Sequence, residues 1–115
     1  MDIKRGEIYF ANLGNFKKTQ IQTGVRPVAI ISNNKGNIYS PTVIVAPLTS
    51  KVKKQELPIH TELTKDKING LEFNSMVLLE QITTIDKNNL ITKIGEICTK
   101  DMENIDKCLK ISLGL

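Results

Sequence analysis

Tryptophan is absent from the chain and aromatic residues make up only 4% of it. A core stacked from large rings is thereby excluded, and Ile, Leu and Val must fill the interior. Histidine occurs once, at His60, so no metal cluster can be built on paired histidines. A Ser-His-Asp triad would have to use His60, which falls in an edge strand, where we assign it a structural role. The two cysteines, Cys98 and Cys108, are too few for a disulfide framework and lack CxxC spacing. With His60 they match no zinc pattern, and they read as reduced thiols of a cytosolic protein. There is no GxxxxGK[ST] and no GxGxxG, which leaves out the common nucleotide-binding loops. No apolar run approaches the ~20 residues of a membrane span. The segment from Met1 to Glu7 has no apolar stretch behind its charges, so no signal peptide is expected. Internal repeats and low-complexity stretches are also missing.

What is present fits a single domain over residues 1–115, with aliphatic residues spread along its whole length. The net charge of +4 is unevenly placed: residues 1–54 hold nine Lys and Arg against two acids, and residues 55–115 hold seven against ten. A basic half suits a polyanion such as nucleic acid, although lysine-rich surfaces also serve solubility.

Gly6 to Leu13 is β-prone with mixed alternation, and Gly14-Asn15 ends it. Phe16 to Gly24 is polar, lysine-bearing and without periodicity, a loop long enough to suggest a function. Pro27 to Ile31 reads as a short buried strand with Pro27 in first position. Ser32 to Asn37 reads as a turn, with room for one short helical turn. Thr42 to Leu48 is a β-branched strand that Pro47 should disturb near its end, and Thr49 to Glu56 is a second basic loop. Leu57 to Leu63 alternates as an edge strand, and Lys65 to Gly70 is a turn. Ser75 to Leu79 is a buried strand followed by Glu80-Gln81, Thr84 to Asn88 is a turn, and Leu90 to Ile97 is a last strand. Thr99 is an expected N-cap, with Asp101 and Glu103 in the first helical turn. Met102, Ile105, Cys108, Leu109 and Leu113 then recur at helical spacing, marking a C-terminal amphipathic helix. Many short strands, one terminal helix and no βαβ alternation imply a mostly β fold with α: a small antiparallel barrel.

Only two of the sixteen basic residues are arginines. Arg5 belongs to the charged N-terminal segment and reads as a surface residue. Arg26 stands in Thr23-Gly24-Val25-Arg26-Pro27, between a basic loop and a buried strand. Gly24 permits a positive φ or a close backbone approach, and Pro27 biases Arg26 towards an extended conformation. Such a frame aims a guanidinium, which holds phosphate oxygens bidentately; a salt-bridged surface arginine is the competing reading. Thr49 ends the β-branched run, where a hydroxyl can bond a phosphate oxygen, as many strand-ending threonines never do.

Over nearly its full length the chain resembles the MazF/PemK family of toxin ribonucleases. The matching segments, in order, are Lys4-Arg5-Gly6-Glu7-Ile8-Tyr9-Phe10-Ala11, Gln22-Thr23-Gly24-Val25-Arg26-Pro27-Val28, Ile30-Ile31-Ser32-Asn33, Thr42-Val43-Ile44-Val45-Ala46-Pro47-Leu48-Thr49-Ser50 and Leu78-Leu79-Glu80-Gln81-Ile82-Thr83-Thr84-Ile85-Asp86-Lys87. The resemblance implies an SH3-like barrel with a C-terminal helix, a homodimer and a MazE-like antitoxin laid along the RNA-binding face. It implies sequence-specific cutting of single-stranded mRNA without a metal or other cofactor. Arg26 and Thr49 would be the catalytic pair for 2′-OH attack on the neighbouring phosphodiester. Phe16, Gln20, Gln22, Ser75, Glu80 and Gln81 match or border the family's RNA contacts, and Lys51, Lys53 and Lys54 would add salt-sensitive phosphate affinity. Many relatives have Ser-Glu-Gln-Gly before the arginine segment. Here the stretch is Gln20-Ile21-Gln22-Thr23 with a one-residue insertion, which bears on the cut sequence more than on the reaction. Two further readings stand beside this one: a CcdB-like toxin that binds gyrase, and a module that binds RNA or antitoxin without cutting.

Overall fold

The computed structural model describes residues 2–15, 21–51 and 58–115. Seven antiparallel strands carry the fold: β1 (Glu7–Asn12), β2 (Val25–Ile30), β3 (Thr42–Thr49), β4 (His60–Leu63), β5 (Ser75–Leu78), β6 (Thr83–Asp86) and β7 (Leu90–Glu96). Helix α1 (Asn34–Tyr39) links β2 to β3, and α2 (Thr99–Leu113) closes the chain. The strand order is β4-β5-β3-β2-β1-β7, with β6 also paired to β3. The result is the expected mostly β, barrel-like architecture with a C-terminal helix, although the sheet does not close among the described residues.

β3 is the hub. Thr42–Val45 pair with β6 on one edge, and Leu48 and Thr49 pair with β5 further along. Pro47 stands where β3 changes partner, so its missing N–H falls outside both of those ladders. The strand thus runs on past Pro47 to Thr49 instead of being disturbed by it. Pro27 is likewise the third residue of β2, not the first; Val25–Pro27 pair only with β1, and pairing to β3 starts at Val28.

Alternation along β1, β2 and β3 sends residues to two buried faces. Ile8, Ala29, Ala46 and Leu48 join Leu63, Val77, Leu79 and Ile105 of α2 in one core. Tyr9, Ala11, Val28, Ile30, Val43 and Val45 join Ile3, Ile85 and Leu90 in the other. Met102, Cys108 and Leu109 of the α2 stripe pack on the first core, but Leu113, at the same spacing, is half exposed.

Three further sequence expectations change, at Thr83–Asp86, Thr99 and Arg5. Thr83–Asp86 is a strand, not part of a turn; only Ile85 of its residues is buried, so the ladder to β3 carries it. The helix begins at Thr99 with Cys98 as N-cap and no side-chain cap bond, so Thr99 is not the cap. The short helical turn for which Ser32 to Asn37 left room is present as α1, where the Asn33 side chain accepts from the Gly36 N–H. Arg5, expected at the surface, is partly buried: it donates to the Ile31 carbonyl at 2.7 Å and to Asp106 of α2 at 2.6 Å.

Glu7 is a buried acid with three partners. Lys93 Nζ lies 2.6 Å from one oxygen. The Lys4 N–H, at 2.6 Å, and the Tyr9 hydroxyl, at 3.3 Å, donate to the other. Burial raises the Glu7 pKa, but the bonds from Lys93 and Lys4 outweigh it and hold the carboxyl below its ordinary 4.5. A pKa lowered on folding gives stability that is full above the unfolded value and is lost as pH falls through the folded one. Glu7→Gln should therefore cost about 1–3 kcal/mol at neutral pH. It should also flatten the loss of stability below pH 4.5, measured by urea unfolding across pH.

Candidate active site

A groove of about 810 Å³ opens between the ends of β2 and β3 and the segment before β5. Its origin lies in the register. β2 and β3 pair as Ile30↔Val45, Ala29↔Ala46 and Val28↔Pro47, and the ladder then stops. Two residues further in that register, on the same face, stand Arg26 and Thr49. Both line the groove where the strands part.

Gly24, at φ +77, lets the chain reverse into β2. Its N–H donates to the Gly14 carbonyl at 2.7 Å, and its carbonyl accepts from Leu13 at 2.9 Å, closing the neck of the first loop. Arg26 then runs extended, as Pro27 requires, and its Nε donates to the Thr23 carbonyl at 2.9 Å. That bond fixes the plane of the guanidinium. The other two nitrogens have no partner among the described residues, and Arg26 forms no ion pair there. Burial lowers its pKa from the ordinary value. Thr49 Oγ1 accepts from the Lys51 N–H at 3.2 Å, which leaves its own O–H to donate into the groove.

Gln22, Lys51, Ser75, Glu80 and Gln81 line the same groove. The Gln22 N–H donates to Gln81 Oε1 at 2.8 Å, clasping the end of the first loop to the 3₁₀ turn Leu79–Gln81. Ser75 is buried and its hydroxyl is committed to the Phe73 carbonyl at 2.9 Å, so it shapes the wall more than it offers a contact. Phe16, Gln20, Lys53 and Lys54 lie outside the described residues.

Two groove residues escaped the sequence reading. Phe73 is 63% exposed, an apolar ring presented at the mouth. The turn before it is rigid: Asp66 and Asn69 side chains accept from the Ile68, Asn69 and Leu71 N–H groups, and Asn69 Nδ2 donates to Thr64. The available signal was an aromatic placed between Gly70 and Asn74, two residues typical of turns. His60 is the first residue of β4, not an interior residue of an edge strand. Its Nε2 lies 2.6 Å from Glu80 Oε2, and both side chains line the groove.

Cys108 donates its thiol to the His60 carbonyl at 3.4 Å, and burial pushes that thiol's pKa up, which suits a structural role. No three His, Cys, Asp or Glu side chains among the described residues converge so as to hold a metal ion. No helix among them is long and apolar enough to cross a membrane.

An aimed guanidinium, a free hydroxyl and an exposed ring in one open groove suit a phosphodiester flanked by unstacked bases. Residues 4–113 match the family described as the PemK-like, MazF-like toxin of type II toxin–antitoxin systems. The endoribonuclease MazF of Staphylococcus saprophyticus is 44% identical over 98% of this chain and 92% of its own. A mycobacterial endoribonuclease solved in complex with its cognate antitoxin is 26% identical, with a TM-score of 0.80 over 98% of this chain and 96% of that one. MazF of Deinococcus radiodurans, at 18% identity, shares the fold with a TM-score of 0.83 over 100% of this chain and 99% of its own. The chain belongs to the PemK-like, MazF-like family of type II toxin–antitoxin toxins.

Proposed function

We propose that this MazF-type endoribonuclease cuts single-stranded mRNA at short specific sequences, with Arg26 and Thr49 as its catalytic pair. The observation that carries the reading is Arg26: half-buried, fixed at Nε by Thr23, and without an acidic partner among the described residues. A ribose 2′-oxygen attacks the adjacent phosphorus, the bond to the 5′-oxygen breaks, and a 2′,3′-cyclic phosphate and a 5′-hydroxyl result. Negative charge gathers on the non-bridging oxygens, where the guanidinium stabilises it and the Thr49 O–H donates a hydrogen bond. Because these groups are positioned before substrate arrives, little reorganisation is needed in the transition state.

Bases on either side of the cut would be read by Gln22, Glu80 and Gln81 and stacked on Phe73, the usual mode for single-stranded RNA. Lys51, with Lys53 and Lys54 in the same basic segment, would add phosphate affinity that weakens with salt. The test is to incubate the protein with a long mixed-sequence RNA in EDTA and analyse the new ends. Discrete cuts with 2′,3′-cyclic phosphate ends support the reading. Intact RNA would contradict it and favour the non-cleaving or gyrase-binding alternatives, and 3′-hydroxyl ends would contradict the 2′-OH attack.

A homodimer and a MazE-like antitoxin are part of the same proposal. Ile111, Leu113 and Leu115 are each more than half exposed at the end of α2, an apolar surface that a second copy would cover. Light scattering should give twice the monomer mass at micromolar concentration; a monomer there would count against the dimer.

A further inference from the structure

The proposed cleavage needs a group to take the 2′-OH proton, and an arginine is a poor base because its pKa exceeds ~12. The groove holds one imidazole. His60 Nε2 lies 2.6 Å from Glu80 Oε2, with side-chain exposures of 15% and 33%. When Nε2 donates to this carboxylate, the neutral ring carries its lone pair on Nδ1. Nδ1 has no hydrogen-bond partner among the described residues. No buried side-chain nitrogen or oxygen there lacks a partner, so an unpartnered Nδ1 is one that solvent reaches. Glu80 fixes one edge of the ring, and the Cys108 thiol holds the backbone of the residue through its carbonyl.

We propose that His60 is the proton acceptor of this reaction, with Glu80 as the residue that positions its ring. The inference rests on the reading of the groove as a ribonuclease site. The 2′-O–H bond breaks and its proton passes to Nδ1 as the 2′-oxygen bonds to phosphorus. The 5′-oxygen leaves and takes a proton from water, and the imidazolium later returns its proton to solvent. Glu80 offsets the charge on the ring while it is protonated, and it selects the tautomer that leaves Nδ1 free. Among the described residues, the charged and titratable groups near it are Glu80, which bonds the ring, and Cys108 on α2, which bonds its carbonyl; Arg26, Lys51 and Glu72 line the same groove.

The experiment measures kcat and KM across pH for wild type, His60→Gln, His60→Ala and Glu80→Gln, with Arg26→Ala as control. The substrate is a short RNA carrying a site mapped on mixed-sequence RNA. His60→Gln keeps an N–H for Glu80 but no base, and should lose ~10²–10⁴ in kcat with KM little changed. The fall of wild-type kcat at acid pH should vanish in it, and added imidazole should restore part of the rate of His60→Ala. Glu80→Gln, which keeps the ring, should lower kcat without loss of fold by circular dichroism. Unchanged kcat and pH profile in the folded His60 variants, with Arg26→Ala inactive, would overturn the proton role and leave the ribonuclease reading intact. A wild type that cuts no RNA would overturn both.

Discussion

Arg26→Ala should lower kcat by ~10²–10³ while leaving KM within a few-fold and the unfolding curve close to wild type. The asymmetry follows from what the side chain does. Its one bond among the described residues is to the Thr23 carbonyl, a loop contact whose loss costs the fold little. Its remaining donors would act only when charge builds on the phosphoryl oxygens, so the loss falls on the transition state. Arg26→Lys should recover only a small part of the rate. An ammonium keeps the charge but has neither the planar fork nor the Nε bond that sets its plane. Steady-state cleavage of a short RNA, with thermal unfolding of each variant, checks both statements. An Arg26→Lys protein as active as wild type would show that charge alone suffices. Arg5→Ala should behave in the opposite sense, because Arg5 joins the N-terminal segment to α2 through Asp106 and does not line the groove.

Gly70→Ala should be the most damaging small substitution in the described chain. Gly70 sits at φ +68, and a Cβ built there would lie 1.9 Å from the Ile94 carbonyl oxygen on β7. The opposite side of this contact is equally closed, since a Cβ on Gly95 would lie 2.3 Å from the Asn69 carbonyl carbon. Two glycines therefore let the 66–70 turn lie flat on β7, where the Glu96 N–H also donates to Ile68 at 3.0 Å. Left-handed backbone and overpacking together should cost about 2–5 kcal/mol, or roughly 10–25 °C in Tm. Gly70 lines the groove and leads directly into Leu71, Glu72 and Phe73. The folded fraction should consequently show weaker RNA binding as well. Gly36→Ala is the contrast. Its Cβ would meet nothing closer than 3.5 Å, and its helical position favours alanine by about 0.5–1 kcal/mol. Calorimetry on the two variants decides; a Gly70→Ala protein as stable as wild type would refute the close-contact account.

Much of this was legible in the sequence because it depends on near neighbours. The β-branched run Thr42–Leu48, the apolar stripe of α2 and the Gly24-Val25-Arg26-Pro27 frame all state their geometry locally. β6 did not, because Thr83-Thr84-Ile85-Asp86 has one buried residue and a turn-forming acid; it is a strand only by virtue of its ladder to β3. The place of His60 at the start of β4, beside Glu80, was hidden for a similar reason. A lone histidine carries no spacing signal, and its partner Glu80 is twenty residues away, brought near by β4 pairing with β5 and the turn that follows. Pro27 and Pro47 read as strand limits because proline lacks an N–H; where a strand changes or lacks a partner, that lack costs nothing. The helix cap at Thr99 failed by one residue, since Cys98 occupies the extended position without using its side chain. The Arg26–Thr49 relation is of the same long-range kind: each residue was visible, but their shared register emerges only once β2 and β3 are paired.

The most direct test of the account is the map of RNA ends left by wild type, Arg26→Ala and Thr49→Ala on one long mixed-sequence RNA in EDTA. The account predicts discrete cuts by the wild type at a recurring short sequence, and loss of the same cuts in both folded variants. Equal cutting by all three would contradict the assignment of the groove's guanidinium and hydroxyl to the chemistry.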